Sequence, residues 1–502
     1  MIEAILQGFV SVFSAKSLLV ILAGVVIGLV VGILPGLGGS GALAILIPLV
    51  YGKDPIVAMS FLVALHAVIY QGGLITSVLF GIPGEAASTV TILDGFPMAK
   101  QGKAGRALGN GFMASMMGGV FGGLILALFL PIAQPIVLAF GSPEYFMLAL
   151  MGISLVAVLG GGSVNKALIA GLLGLLLSFV GLHQGTGQLR YTMGYLHLFS
   201  GLNMIPVFVG LFALPEVIEL MVEGSSIARG EKRPISMADV WQGCMDTFHH
   251  WWLVMRCSAI GTLIGAIPGL GGAVATWMAY GHAKQTSKRS LEFGMGCEEG
   301  VIAPESANNA KDCGSYLPTL AFGIPGSGAM VLILGALMVV GVEPGPGMMT
   351  KHLDLLWTIV ITLILANVLG TGIGLLLARD LARITFIRST ILVPMIILCI
   401  ILGAYGATNN SLDVVLAFFF GGIGYFMKIF DYSRVTLTIG FVLGDYAERY
   451  FLISMSGLGP GFLLVSPIAM CLLVVIVIGL ASSRMKKLFK NIAEERIERR
   501  KD

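Results

Sequence analysis

Gly32-Ile33-Leu34-Pro35-Gly36-Leu37-Gly38-Gly39 recurs later in the chain as Gly265-Ala266-Ile267-Pro268-Gly269-Leu270-Gly271-Gly272. A second element, Phe80-Gly81-Ile82-Pro83-Gly84, recurs as Phe322-Gly323-Ile324-Pro325-Gly326. The copies stand about 233 and about 242 residues apart. Proline lacks a backbone N–H, and glycine adopts dihedrals that other residues avoid, so each element interrupts a helix. Four breaks in two matched pairs, all inside very apolar sequence, describe a duplicated membrane-embedded chain whose helices are broken at corresponding places in both halves.

Working outward, the composition agrees with that reading. Of 502 residues, 56% are hydrophobic and only 11% charged, and the mean hydropathy is +0.93. Soluble domains carry about 25% charged residues, so most of this surface faces lipid. The net charge is +3, with the basic residues in short clusters between apolar runs, which gives no nucleic-acid-binding surface. Six cysteines include no CxxC, so neither a metal site nor a disulfide framework is expected. The N-terminus shows no basic region and no small-residue cleavage site, so no secretory leader is expected. The fold class is an all-α polytopic membrane protein.

A crossing takes roughly 20 apolar residues, which gives about eleven to fourteen membrane segments. The expected organisation is a first transmembrane repeat over 1–222, a linker over 223–250, a second repeat over 251–460, and a final helix with a charged tail over 461–502. The basic cluster Arg484, Lys486, Lys487 and Lys490 argues for a cytoplasmic C-terminus. Loop charges differ between the halves. Lys100, Lys103 and Arg106 follow the first Ile-Pro-Gly, whereas Glu343 and no base until Lys351 follow the second. Lys284, Lys288 and Arg289 follow the second Pro-Gly-Leu-Gly-Gly, whereas Lys53 and Asp54 follow the first. By the positive-inside rule, equivalent loops lie on opposite sides, and the halves form inverted-topology repeats with re-entrant elements.

A half-helix that starts after such a break turns bare N–H groups and a partial positive charge toward the gap, which suits an anion. The candidate substrate-binding residues are Pro35, Gly36, Gly38, Gly39, Gly81, Pro83, Gly84, Ser88, Thr89, Pro268, Gly269, Gly271, Gly272, Asn308, Asn309, Gly323, Pro325, Gly326 and Ser327. Asn309, Ser88 and Ser327 would donate to a carboxylate. Unwound carbonyls near Gly81 and Gly323, with Asp312, are candidates for a coupling cation. The plainer alternative is that the glycines serve close helix packing. For Glu305, Lys311 and Asp312 it is a cytoplasmic or interfacial loop with mutual pairing, for Asp94 and Lys100 an interface, and for His66 a core histidine. Trp241, Trp251 and Trp252 read as an interfacial anchor.

Gly38-Gly39-Ser40-Gly41 matches the GxSG of intramembrane serine proteases, but such chemistry needs a histidine set against the serine. The second copy has Ala273 where Ser40 stands, and there is no HExxH and no Walker A motif. The chain is therefore read as a carrier rather than an enzyme, with no cofactor and with energy drawn from a Na⁺ or H⁺ gradient. A passive anion channel is the alternative.

At Gly32–Gly41, Tyr70–Arg106, Ala303–Gly328 and Gly335–Met348 the sequence resembles the large membrane subunit of the tripartite tricarboxylate transporter family (TctA-like). The resemblance covers nearly the whole chain. It implies a cation-coupled importer of organic anions in the bacterial inner membrane, with sodium commonly invoked. It also implies two partners, a small membrane subunit and a periplasmic solute-binding protein that delivers the substrate. One departure is Lys311-Asp312, where small or uncharged residues are expected after Asn308-Asn309-Ala310; it adds an ion pair near the site.

Overall fold

The computed structural model describes residues 2–34, 38–159, 163–183, 185–223, 235–384, 389–478 and 480–481. These residues are almost wholly helical. The first half of the chain contains α1 (Ile2–Val12), α2 (Ala15–Gly32), α3 (Gly38–Leu46), α4 (Pro55–Phe80), α5 (Thr89–Lys100) and α6 (Ala104–Leu138). Then come α7 (Ser142–Leu159), α8 (Val164–Ser178), α9 (Met204–Phe208) and α10 (Leu214–Glu223). The second half contains α11 (Met237–His249), α12 (Trp251–Gly265), α13 (Gly271–Thr286), α14 (Glu299–Phe322), α15 (Gly328–Val339), α16 (Pro346–Lys351) and α17 (Leu353–Ile384). It closes with α18 (Ser389–Thr408), α19 (Ser411–Ile429), α20 (Arg434–Leu458) and α21 (Phe462–Val465).

Six helices are long and apolar enough to cross a membrane, and eight further apolar helices are shorter, counting the described residues alone. The sequence count of eleven to fourteen segments draws on both kinds. It could not tell full spans from half-helices, because both are equally apolar. Nor does α14 register as a span by composition, since it carries Glu305, Lys311 and Asp312 within one 24-residue helix.

The chain divides into two compact units, each drawing on both halves of the sequence. Met1–Val137 with Asn203–Phe426 form one, and Leu138–Leu202 with Met427–Asp502 the other. In the first unit, glycine rows set the packing. Gly24 and Gly28 of α2 lie against the Phe61 and Leu65 carbonyls of α4, where a Cβ would come within 2.6 Å, and Gly32 lies on the Ile69 carbonyl. The second half repeats this contact: Gly261 and Gly265 of α12 lie on the Ala307 and Lys311 carbonyls of α14. Small residues at four-residue spacing let two backbones approach, which is how helices associate where lipid removes the hydrophobic drive.

The halves also exchange partners. Gly118 and Gly122 of α6 pack on α14, and Gly370 of α17 packs on Val68 and Gln71 of α4. The amphipathic helix ahead of each half follows suit: Gly8 of α1 meets Trp357 of α17, and Gly105 and Gly109 of α6 meet Ser236, the residue before α11, and Val240 of α11. Residues 237–249 fall within the stretch expected to be linker. Their low hydropathy concealed a helix that docks through Gly243 on the Arg106 carbonyl and through Thr247 on Asn110.

In the second unit, Gly171 and Gly174 of α8 interlock with Gly440 and Leu437 of α20. Arg190 grips Glu448 with two bonds of 2.6 and 2.7 Å, fastening the two-residue pair Gly181–Leu182/Leu189–Arg190 to α20.

Candidate functional site

Both long broken helices end in the same way. Gly81 and Gly323 are left-handed C-caps, at φ +68° and +69°, a conformation that glycine adopts without strain. The chain then folds back on its own helix. A Cβ on Gly84 would stand 2.6 Å from the Gly73 α-carbon, and one on Gly326 would stand 2.8 Å from that of Ser315. In the second half the Gly326 N–H also donates to Thr319 Oγ1 at 3.2 Å. The fold-back delivers Ser88 and Ser327 to the starts of α5 and α15, and neither hydroxyl caps its helix.

The other pair of breaks opens two short helices onto the sides of α4 and α14. Gly38 and Gly271 are matched residues with positive φ, +54° and +73°. Next to them, a Cβ on Gly39 would lie 3.2 Å from the Tyr70 hydroxyl and 3.7 Å from the His66 ring. A Cβ on Gly272 would lie 3.0 Å from Ala87, 3.5 Å from Asn308 Oδ1 and 3.8 Å from Lys311 Nζ. His66 and Asn308 are counterparts at the repeat spacing, as are Tyr70 and Asp312. The duplicated frame thus carries different chemistry at its two equivalent places.

Charges lie at the centre of this unit. Glu305, Lys311 and Asp312 are 1%, 4% and 2% exposed on α14, which overturns the interfacial-loop alternative. Burial is tolerated because each charge has partners. Lys311 Nζ donates to Asp312 Oδ1 at 2.9 Å. Glu305 accepts from Thr91 Oγ1 at 2.6 Å and from Ser115 Oγ at 3.0 Å. Asp94 is also fully buried: its Oδ1 accepts from the N–H groups of Gly294, Gly296 and Cys297, and its Oδ2 from the Tyr280 hydroxyl. Lys100 is exposed, over the Phe96 ring. His66 is fully buried between two hydroxyls, Tyr70 and Tyr316, each 3.4 Å from a ring nitrogen. Both ring nitrogens thus face tyrosines, which is not the serine–histidine geometry a protease needs.

Where α4 and α14 meet α17, an amide cluster joins them. Asn309 Nδ2 donates to Asn367 Oδ1 at 2.7 Å and to the Ala67 carbonyl at 3.3 Å, and Gln71 Nε2 donates to Asn367 at 3.4 Å. Both amide hydrogens of Asn309 are therefore committed, and what it offers beyond them is an acceptor, Oδ1, rather than the donor expected from sequence. Asn367 was missed. A lone asparagine in the apolar run Leu363–Gly370 was the available signal, because polar groups at that depth default to function or to helix pairing.

Several expected site residues carry buried polar atoms with no hydrogen-bond partner: Ser88 Oγ, Asn308 Nδ2 and Oδ1, Asn309 Oδ1, Asp312 Oδ2 and Ser327 Oγ. An unsatisfied buried group costs about 1–3 kcal/mol, and these atoms are gathered around the breaks that follow α4 and precede α13 and α15. Gly84, Pro268, Pro325 and Gly326 are buried, Gly269 is half-buried, and Pro83 and Thr89 are exposed. Pro35 and Gly36 lie outside the described residues.

The sequence profile of the tripartite tricarboxylate transporter TctA family matches residues 18–439. The chain belongs to the TctA family. An uncharacterized 52.8 kDa protein in the TAR-I ttuC' 3' region of Agrobacterium vitis is 33% identical over 494 residues, covering 97% of this chain and 98% of that relative. An uncharacterized protein in the TAR-II ttuC' 3' region of the same organism is 36% identical over 190 residues, covering 38% of this chain and 78% of that relative. No solved structure matches the chain. As a TctA family member the chain is a membrane component of tripartite tricarboxylate transporters, and the matched region takes in all four Gly-Pro elements.

Proposed function

We propose that this TctA family chain is the permease subunit of a cation-coupled symporter that imports an organic anion, a di- or tricarboxylate, across the bacterial inner membrane. A periplasmic solute-binding protein delivers the anion, and a small membrane subunit completes the transporter. The coupling ion is Na⁺ or H⁺. The two halves, 1–222 and 251–460, lie in inverted orientation, and the basic tail is cytoplasmic.

The observation that carries this reading is the start of α13. Its first turn has no side-chain cap, and beside it Asn308 is 1% exposed with both amide atoms unpartnered. A helix N-terminus without a side-chain cap favours negative charge, and a buried amide with both ends unpartnered can turn its N–H groups toward an anion. The exchanged packing, α6 on α14 and α17 on α4, supports the repeat reading, because a two-fold relation between halves generates such pairs.

The test is transport by the complete three-component system in proteoliposomes, with radiolabelled citrate and succinate. Accumulation above the external concentration, dependent on an imposed Na⁺ or H⁺ gradient, is the expected result. Flux that only equilibrates the anion, indifferent to both gradients, would replace the carrier with a channel.

A further inference from the structure

We propose that Lys311 holds the transported anion by exchanging Asp312 for it, and that Asp312, once released, takes up one monovalent cation, so that anion and cation bind as a pair. This rests on the carrier reading above and assigns its binding step to specific side chains.

The argument starts from the ion pair. Lys311 and Asp312 are adjacent on α14, and neighbouring residues on a helix project in different directions. The lysine nevertheless reaches Asp312 Oδ1 at 2.9 Å, and among the described residues this carboxylate is its one hydrogen-bond partner. An ammonium has three donors. Its nitrogen stands 3.8 Å from where a Cβ on Gly272 would be, beside the uncapped first turn of the 16-residue α13. Asn308, one turn earlier on α14, brings Oδ1 to 3.5 Å from the same point and leaves both amide atoms unpartnered. A carboxylate set against Gly272 would meet backbone N–H groups and a cation together, and the unpartnered Asn308 amide is free to turn its Nδ2 toward it. The matching place in the first half, beside Gly39, meets Tyr70 and His66 instead. The anion site is therefore one-sided despite the duplication.

Cation uptake follows from burial. When Lys311 turns to the anion, Asp312 loses the partner of Oδ1 and keeps beside it only the neutral Tyr70 hydroxyl. An ionised carboxylate without a charged partner is strongly disfavoured at 2% exposure. The charged and titratable groups around it are His66 and Tyr70 from α4, Glu85 from the segment after α4, and Lys311, Cys313 and Tyr316 from α14. Glu85 places a second carboxyl group near Asp312. A sodium ion and a proton supply the same neutralisation. If it is a proton, it comes from solvent and goes to the carboxylate, and no other bond changes.

The test measures binding of citrate and succinate to the purified full chain by calorimetry, with Na⁺ varied at fixed pH and then pH varied in Na⁺-free choline buffer. In the unmodified protein, apparent anion affinity should rise about tenfold per tenfold rise in the effective cation, as one-to-one linkage requires. Dependence in the first series alone identifies sodium; dependence in the second alone identifies the proton. Lys311→Gln should weaken the anion by about 10- to 100-fold, the value of one charge-assisted bond. Asp312→Asn should keep anion binding and abolish its cation dependence. Lys311→Met/Asp312→Asn guards against misfolding, because a neutral pair of similar volume is tolerated where half an ion pair is not; it should fold and bind no anion. Full affinity in Lys311→Gln, or unchanged cation dependence in Asp312→Asn, overturns the exchange. Absence of any anion uptake by the unmodified transporter overturns the carrier reading itself, and the exchange with it.

Discussion

Gly84 rests directly on Gly73, and Gly326 rests in the same way on Ser315, so each broken helix is clasped by the strand of chain that leaves it. The clasp sets where α5 and α15 begin and hence where Ser88 and Ser327 lie. Backbone forms one wall of the Gly84 contact, so an added methyl has nowhere to go. Gly84→Ala and Gly326→Ala should each destabilise the protein by about 1–3 kcal/mol, the usual cost of overpacking. Gly281→Ala is the control: it lies inside α13 with nothing within 4 Å, and should be neutral or stabilising by about 0.5–1 kcal/mol. Thermal unfolding in detergent measures all three. Equal melting temperatures for Gly84→Ala and Gly281→Ala would show that the clasp does not constrain the fold.

Asn367 ties α17 to both α4 and α14 through Gln71 and Asn309. Removing its side chain takes one acceptor from each of two buried amides, which keep the Ala67 and Asn367 carbonyls, so each loss should cost about 0.5–1.5 kcal/mol. A double-mutant cycle with Asn309→Ala and Asn367→Ala should return a coupling energy of about 0.5–3 kcal/mol. Strict additivity would mean that the 2.7 Å bond contributes nothing.

Asp94 gathers residues 294–297 onto α5 with three backbone N–H groups and the Tyr280 hydroxyl. Asp94→Ala should release that loop and loosen the backbone around the already exposed Lys288 and Arg289, so that tryptic cleavage there accelerates at least about tenfold with about 2 kcal/mol less protection. Tyr280→Phe removes one bond of the four and should cost about 0.5–1.5 kcal/mol. The two variants are compared by timed digestion and gel analysis. Identical digestion of Asp94→Ala and the unmodified chain would count against the anchor.

What could be read from the sequence and what could not follows a physical line. The breaks at Gly81 and Gly323 were legible because they are local: a glycine and a proline two residues apart decide the backbone with little help from elsewhere. The burial of Glu305, Lys311 and Asp312 was not. Three charges within eight residues resemble an interface, and the hydroxyls that donate to Glu305 come from Thr91 and Ser115, far away in the chain. Asp94 misled for the same reason, its partners lying some 200 residues on. Asn308 and Gly272 were named from sequence, yet their meeting beside Lys311 depends on how α13 lies against α14, which no local pattern encodes.

A last test addresses the charged rim where α11 and α12 join. Glu299 lies 3.6 Å from His250 Nε2 and holds the imidazole above its ordinary pKa, while His250 holds the Glu299 carboxyl below the usual range. The raised histidine stabilises the fold fully below its unfolded value of 6.5, and that contribution is lost as pH climbs through the higher folded value. The depressed carboxylate contributes above its unfolded value of 4.5, and its share is lost as pH falls through the lower folded value. The pair therefore acts between about 4.5 and 6.5, fading on either side. A partly exposed pair, with side chains 33% and 13% accessible, is worth about 0.2–1 kcal/mol. His250→Gln keeps a donor for the Asp246 carbonyl but cannot charge. The difference in melting temperature between the unmodified protein and His250→Gln should peak near pH 5.5 and shrink by pH 8. A difference that grows with pH instead would mean that His250 acts through packing and not through its charge.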